Sequence, residues 1–184
     1  MCASVDIGVW LFDTGYAGVS LSTGLIARLA AIENVCGIKV GRPHARYLEL
    51  LDLLGDTMLV CSPHEETWLE NMRDHGQRVY MSSAAPYLYQ TPSWQPMREY
   101  TTLALRGDTA KAAEVAATLE PVRAVAAKWL PGKPRLIDNI ASIKAWAGLA
   151  GLSGGAVRAP LVSHTPAELG ELAADLAAAG LLPG

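Results

Sequence analysis

The heptapeptide VCGIKVG, residues 35–41, decides the fold of this chain of 184 residues. It is almost continuously apolar, it ends in a glycine, and Pro43 follows soon after it. Continuous apolar character is typical of a strand that is buried on both faces, as in a parallel sheet. We therefore predict a β-strand here, followed by a loop and by a helix over about residues 44–54, where apolar residues recur at helical spacing.

The same pattern of strand, loop and helix recurs along the first half of the chain. Further short apolar runs begin near residues 7, 57 and 78, and Ser22 is placed to cap the helix that follows the first of them. Repeated units of this kind build either a doubly wound sheet or a (β/α)8 barrel. Because no GxGxxG or P-loop sequence follows any of these runs, the nucleotide-binding form has no support from motifs.

The second half of the chain is predicted to be helical. Its alanine-rich stretch, residues 109–129, contains Pro121, which should kink or divide the helix. A further helix is expected over about residues 137–150. A last one begins after Thr165, a good N-cap, with Pro166 in its first position. Four βα units are therefore followed by a helical appendage.

Composition excludes several classes of function. The net charge is −3 and only 18% of the residues are charged, which indicates a globular protein whose partners include neither nucleic acid nor a membrane. The three cysteines and the histidines show no ligand or disulfide spacing, so we expect reduced thiols, no metal site and no cofactor. The N-terminal sequence has no signal peptide or long apolar stretch, and the cytoplasm is the expected location.

Several strings resemble one enzyme family, in the family's order and over nearly the whole chain. The segment GIKVG resembles the Schiff-base segment of the dihydrodipicolinate synthase and N-acetylneuraminate lyase family, the pyruvate-dependent class I aldolases. GYAGVSLSTGLIARLA (residues 15–30) and LRGDTAKAAEV (105–115) are similar to flanking segments of that family. So are IDNIASIKAWAGLAGL (137–152), VRAPLVSHTPAEL (157–169) and AAAGLL (177–182).

The resemblance implies an α/β fold, the (β/α)8 TIM barrel, of which this chain holds strands five to eight. At about 30 residues per unit, a complete barrel takes ~240 residues before any appendage. Residues 1–92 are expected to form the C-terminal half of the barrel, and residues 93–184 to form helices that pack on it. A fragment, a split-gene product, a wrongly placed start and a degenerate copy all remain open. A homo-oligomer, or pairing with an N-terminal half-barrel, is expected.

Lys39 is the central candidate for catalysis. It lies near the C-terminal end of an apolar strand, where barrel active sites are built, and an amine there is a nucleophile toward a ketone. The resemblance implies a lyase or aldolase that makes or breaks a C–C bond of a 2-keto acid, such as pyruvate, through a Lys39 Schiff base. The alternative is a lysine at the end of a strand that simply reaches solvent.

The loop after the first strand departs from the family. The family has a tyrosine there as proton relay, in a Tyr-Asn-x-Pro pattern, and then an arginine for the substrate carboxylate. Counting back from the Gly18-Val19 pair puts Leu11 in the tyrosine's place and Tyr16 in the arginine's. Asp13 or a shifted Tyr16 is then the candidate acid–base group, and Thr14 a candidate substrate contact. Alternatively, residues 13–15 are only a turn.

Two more residues are candidate substrate contacts. His64 follows the third predicted strand and faces the expected mouth of the barrel, although it would equally suit the first turn of the next helix. Tyr80 stands at the position on the fourth strand whose backbone contacts the keto acid in the family, although its side chain would also suit the core. Because so many positions depart from the family, a catalytically inactive remnant, or a half-barrel subunit that acts only with a partner chain, is the alternative function.

Overall fold

A computed structural model describes residues 6–82, 84–131 and 139–182 of the chain. The chain divides into two compact units, Met1–Ser83 and Ala84–Gly184. The division at residue 92 into a barrel half and an appendage stays a prediction. Among the described residues, no helix has both the length and the apolar character that a membrane crossing requires.

The first unit is an α/β structure in which each strand is followed by a helix. Its parallel sheet has the order β1-β2-β3, with strands at Val9–Thr14 (β1), Val35–Gly41 (β2) and Leu59–Cys61 (β3). The helices are Thr23–Ala30 (α1), His44–Leu54 (α2) and Trp68–Asp74 (α3). The Ser22 side chain accepts a hydrogen bond from the Leu25 amide and caps α1, as the sequence predicts. The first three predicted strands and their helices are confirmed.

The register of the strands assigns side chains to two faces of the sheet. Phe12, Lys39 and Cys61 are paired across the three strands. Residues in register on parallel strands point to the same side, and successive residues alternate. We call this side the lysine face; it also carries Trp10 and Leu59. The opposite side, the helix face, carries the alternating set of side chains: Leu11, Asp13, Ile38, Val40 and Val60.

The core of the first unit lies on the helix face. Ile38 and Val40 are fully buried together with Ile26 of α1 and Leu50 of α2. On the lysine face, by contrast, Phe12 and Leu59 are 48% and 50% exposed. The helices of the first unit therefore pack on the helix face.

The fourth predicted strand, near residues 78–82, is wrong: these residues form no strand in the structure. The buried side chain of Gln77 donates to the Ser62 carbonyl over 3.0 Å and accepts from the Ser62 amide over 3.1 Å. The side-chain nitrogen of Gln77 also donates to the Val79 carbonyl over 2.8 Å. A side chain therefore satisfies the backbone groups just beyond β3 that a neighbouring strand would otherwise pair with.

The second unit is helical over its described residues. Its helices are Ala85–Leu88 (α4), Pro96–Leu105 (α5), Thr109–Ala117 (α6), Glu120–Trp129 (α7), Ile140–Leu149 (α8) and Pro166–Ala178 (α9). Pro121 lies in the first turn of α7, so the alanine-rich stretch is divided as predicted. Thr165 and Glu168 form a reciprocal capping box at the start of α9. The predicted helix start near residue 137 lies outside the described residues.

Candidate functional site

The carboxyl ends of the three strands lie at one edge of the sheet, because the strands are parallel. They end at Thr14, Gly41 and Cys61, and the loops that follow bring Tyr16 and His64 to the same edge. In barrel enzymes this edge carries the active site. The topology alone therefore brings Thr14, Tyr16, Lys39 and His64 close to one edge of the sheet.

Lys39 lies two residues before the end of β2, on the lysine face. Its Nζ is 4.4 Å from the centroid of the Phe12 ring, a cation–π distance. Cys61, which is its partner in register on β3, flanks it on the other side. The half-buried amine is thus set between an aromatic ring and a thiol, on the face opposite to the core of the first unit.

The Cys61 thiol is a polar group beside Lys39 that the sequence interpretation treated only as part of the core. Burial raises the pKa of Cys61 to about 11. The charge of Lys39 lowers this pKa, but it offsets the effect of burial only in part. The thiol therefore keeps its proton near neutral pH. No motif marks this residue; the signal is its register with Lys39, which depends on how β2 and β3 pair.

Asp13 lies on the helix face, opposite to Lys39. It is 1% exposed, and its carboxylate accepts from Arg42 Nε over 2.8 Å, with Arg46 Nε at 3.7 Å. Arg42 also donates to the Val19 carbonyl over 2.7 Å. These contacts tie the loop after β1 to the start of the loop after β2. They account for the burial of the carboxylate, because a buried charge needs a partner.

The side chain beside Lys39 on β1 is Phe12 rather than Leu11. Leu11, which the count back from Gly18-Val19 puts in the family tyrosine's place, is paired with Ile38 and points to the helix face. Successive residues of a strand point to opposite sides of the sheet. Phe12 has no proton to exchange, so the place beside Lys39 on this strand has no acid–base group.

Thr14 and Tyr16 lie at the carboxyl edge, one at the end of β1 and one just after it. Thr14 shares the lysine face with Phe12, and its Oγ1 accepts from the Tyr16 amide over 3.3 Å. Tyr16 belongs to the short 3-10 helix Gly15–Ala17, and 85% of it is exposed. The alternative in which residues 13–15 are only a turn is wrong, because Asp13 and Thr14 belong to β1.

His64 and Tyr80 complete the set of candidates. The ring Nε2 of His64 lies 3.3 Å from the Arg42 carbonyl oxygen, so this side chain bridges the loops after β2 and β3. The Tyr80 ring packs on Trp68 with a centroid distance of 5.0 Å. In the described part of the chain, no three His, Cys, Asp or Glu side chains are grouped so that they could hold a metal ion.

Comparison with known proteins identifies relatives over almost the whole chain. The model of the dihydrodipicolinate synthetase family matches residues 5–179. A 4-hydroxy-tetrahydrodipicolinate synthase from Kineococcus radiotolerans is 31% identical over 183 residues, which are 95% of this chain and 53% of that protein. The chain thus spans about half the length of this curated relative.

Solved structures give the same result for the fold. A dihydrodipicolinate synthase from Aquifex aeolicus matches 99% of this chain and 59% of its own, with a TM-score of 0.75 and 23% identity. KD(P)GA from T. tenax matches 97% of this chain and 58% of its own, with a TM-score of 0.70 and 19% identity. The chain therefore has the α/β fold of these (β/α)8-barrel proteins.

Proposed function

The chain belongs to the dihydrodipicolinate synthetase family, and from that premise we propose that Lys39 forms a Schiff base with a 2-keto acid such as pyruvate. The complete protein would then be a lyase or aldolase that makes or breaks a C–C bond through this adduct. The observation that carries the proposal is the position of Lys39 near the carboxyl end of β2, on the face opposite to the helix-covered core of the first unit. In a closed barrel that face lines the interior, and the amine lies near the end at which the strands have their carboxyl termini.

The chemistry begins with attack of the neutral Lys39 amine on the keto carbon. The carbinolamine that forms loses its hydroxyl group as water, and the resulting iminium withdraws the electron pair of the bond that breaks at the neighbouring carbon. Elimination of water needs a proton donor near Nζ. Phe12 cannot supply one, whereas the neighbouring Cys61 and the Thr14 hydroxyl both lie on the lysine face.

The other candidates take supporting roles in this proposal. Tyr16, on the loop after β1, is the proposed acid–base group for the leaving or attacking carbon, acting when the loop covers the site. Thr14, His64 and Tyr80 are proposed to contact substrate from the carboxyl edge. Asp13 is assigned a positioning role through its ion pair with Arg42, because it lies on the other face of the sheet.

Borohydride trapping tests the Schiff base directly. The full chain is incubated with pyruvate and sodium borohydride, and the adduct is located by intact mass followed by peptide mapping. We expect a single adduct on Lys39, its absence in Lys39→Ala, and unchanged labelling in Lys111→Ala, which removes an exposed lysine of α6. An adduct on another lysine, or none with any 2-keto acid, would contradict the proposal.

A second function is favoured by the uncovered lysine face. Phe12 and Leu59 are half exposed there, and the chain spans only 53% of its curated relative. Exposed apolar area of several hundred Å2 costs on the order of 10 kcal/mol, comparable to the stability of a whole domain. The chain would then act as a half-barrel subunit, or an inactive remnant, whose lysine face is covered by an N-terminal half-barrel or by a second copy.

The oligomeric state of the chain distinguishes this second function from the first. Light scattering combined with chemical denaturation at several protein concentrations is expected to give an oligomer, or a transition that moves to higher denaturant as concentration rises. Addition of the N-terminal half of a relative as a separate chain is expected to stabilise the protein further. A compact monomer with a cooperative transition that does not depend on concentration would refute the half-barrel interpretation.

A further inference from the structure

The helical unit contains a cavity that the proposed chemistry does not use. Its volume is about 310 Å3, and it lies between α8, the segment 155–164 and Leu169 of α9. That volume is at the lower end of the roughly 300–1,000 Å3 range of small-molecule sites. Most of the lining is apolar, with Lys144, Ser163 and His164 as the polar side chains. The cavity therefore suits a small ligand with a large apolar part.

Two glycines shape this cavity. Gly148 lines it from α8, and a Cβ built on this residue would meet no atom within 4 Å. At Gly154 a Cβ would overlap the carbonyl oxygen of Lys144 and would lie 2.8 Å from the amide nitrogen of Gly148. The backbone after α8 thus packs directly against the last turns of that helix, at a distance that only glycine permits.

Lys144 supplies the charge of the cavity. Its side chain is half-buried, and its Nζ lies 3.9 Å from the position of a Cβ built on Gly155, so it reaches along the cavity wall. Over residues 6–82, 84–131 and 139–182, no carboxylate forms an ion pair with this ammonium group. A cation in a largely apolar wall gains most from an anionic group that displaces its remaining water.

His164 forms a fixed polar wall rather than part of a nucleophilic triad. Its Nε2 lies 3.0 Å from Ser142 Oγ, and Glu168 Oε2 lies 3.7 Å from its Nδ1. Ser142 has no exposed surface and does not line the cavity, so a substrate cannot reach its hydroxyl group. The Glu168 carboxylate is held by the capping box with Thr165, at 2.8 and 2.9 Å. The histidine ring is thereby oriented, and Lys144 remains the group that selects the ligand.

From these observations we propose that the helical unit binds a small carboxylate with an apolar chain, with the carboxylate on Lys144 and the chain along Gly148 and its apolar neighbours. A carboxylate matches the single positive charge, whereas a phosphate dianion would leave one charge uncompensated in a largely apolar site. This site is separate from Lys39 in sequence and chemistry, and the proposal does not depend on the Schiff base.

Octanoate is the probe that tests the proposal. Calorimetric titration of the full chain should give saturable binding with one site per chain, and octanol and octylamine should bind at least about tenfold more weakly. Lys144→Met keeps an unbranched side chain of similar length, one atom shorter, but removes its charge, and should weaken octanoate binding about tenfold or more. Lys111→Met, the same change on the exposed face of α6, should bind as the unchanged protein does.

A second pair of variants tests the location of the site. Gly148→Leu fills the cavity from a helix that has room for the added Cβ, and should abolish octanoate binding. Gly170→Leu makes the same change on α9, at an exposed position also free of contacts within 4 Å, and should leave binding intact. Circular dichroism checks that all four variants are folded. Equal binding of octanol and octanoate, or undiminished binding by folded Lys144→Met or Gly148→Leu, would overturn the proposal.

Discussion

The lysine face and the helix face of the sheet are built from alternate residues of the same strands, yet they differ in what covers them. On the helix face Ile38 and Val40 are fully buried against α1 and α2. On the lysine face Phe12 is 48% exposed beside Lys39. Stability and chemistry can therefore be separated within one strand, since each successive residue belongs to the other face.

The charged groups of the two faces follow the same division. Asp13 on the helix face is buried and is neutralised by Arg42 at 2.8 Å. Lys39 on the lysine face has a ring and a thiol as its neighbours and is only half-buried. A charge that is already paired stabilises the fold. Lys39, in contrast, has no carboxylate among its partners in register, Phe12 and Cys61, and its amine is available for reaction. Mutations on the two faces should therefore have different consequences.

The largest effect is expected from Lys39→Ala. Any lyase activity toward a 2-keto acid should be abolished, because the amine is the covalent catalyst, while the fold should remain nearly intact since the residue lies on the uncovered face. Steady-state kinetics at saturating keto acid and the far-ultraviolet circular dichroism spectrum together check this. Activity above a few percent of the starting value would show that the iminium mechanism is wrong.

Truncation of one apolar side chain on each face compares the two directly. Ile38→Ala should lower the free energy of unfolding by about 3–4 kcal/mol, because it leaves a cavity in a packed core. Phe12→Ala should lower it by less than about 1 kcal/mol, since half of the ring is already exposed. Urea denaturation of both variants at one protein concentration measures the difference. Equal losses would show that the lysine face is covered in solution.

Loss of the buried carboxylate tests the ion pair of the helix face. Asp13→Ala should destabilise the protein by about 2–3 kcal/mol, because it leaves Arg42 and Arg46 partly buried without their shared partner. Glu49→Ala removes an exposed carboxylate that also contacts Arg46, at 2.8 Å, and should cause no measurable change. Thermal denaturation of the two variants checks the contrast. An Asp13→Ala variant as stable as Glu49→Ala would contradict the structural role of this pair.

The smallest effect is expected from alkaline pH. Burial raises the pKa of Cys61 from 9.0 to about 11, so the native state holds this proton more tightly than the unfolded chain does. The corresponding stability is present below pH 9 and is lost as the pH rises toward 11, by about 2 kcal/mol at most. Denaturation at pH 8 and pH 10.5 should show a smaller loss in Cys61→Ala. Burial, and to a smaller extent the neighbouring Cys61, raise the pKa of Tyr47 to about 12, so the loss from Tyr47 is also smaller in Cys61→Ala.

Local sequence patterns predict most elements of the fold, although not the absence of a strand at residues 78–82. The apolar runs predict β1, β2 and β3. Ser22, Pro121 and Thr165 fix helix ends through bonds and steric limits that act within a few residues. The family follows from strings distributed along the whole chain, and the candidate lysine follows from its place near the end of an apolar strand. All of these signals depend on residues that are close together in the sequence, so they can be recognised without the fold.

Which residues meet depends on contacts between strands and loops that are distant in sequence. Phe12 rather than Leu11 lies beside Lys39, and Cys61 lies in the same row, because pairing between strands sets the register. Asp13 lies on the helix face and pairs there with Arg42, 29 residues later in the chain. A hydrogen bond between the Ser62 amide and the Gln77 side chain, 15 residues apart, takes the place of pairing with a fourth strand. These contacts join residues that are distant in sequence, and no local propensity specifies them, so only the folded chain brings the site together.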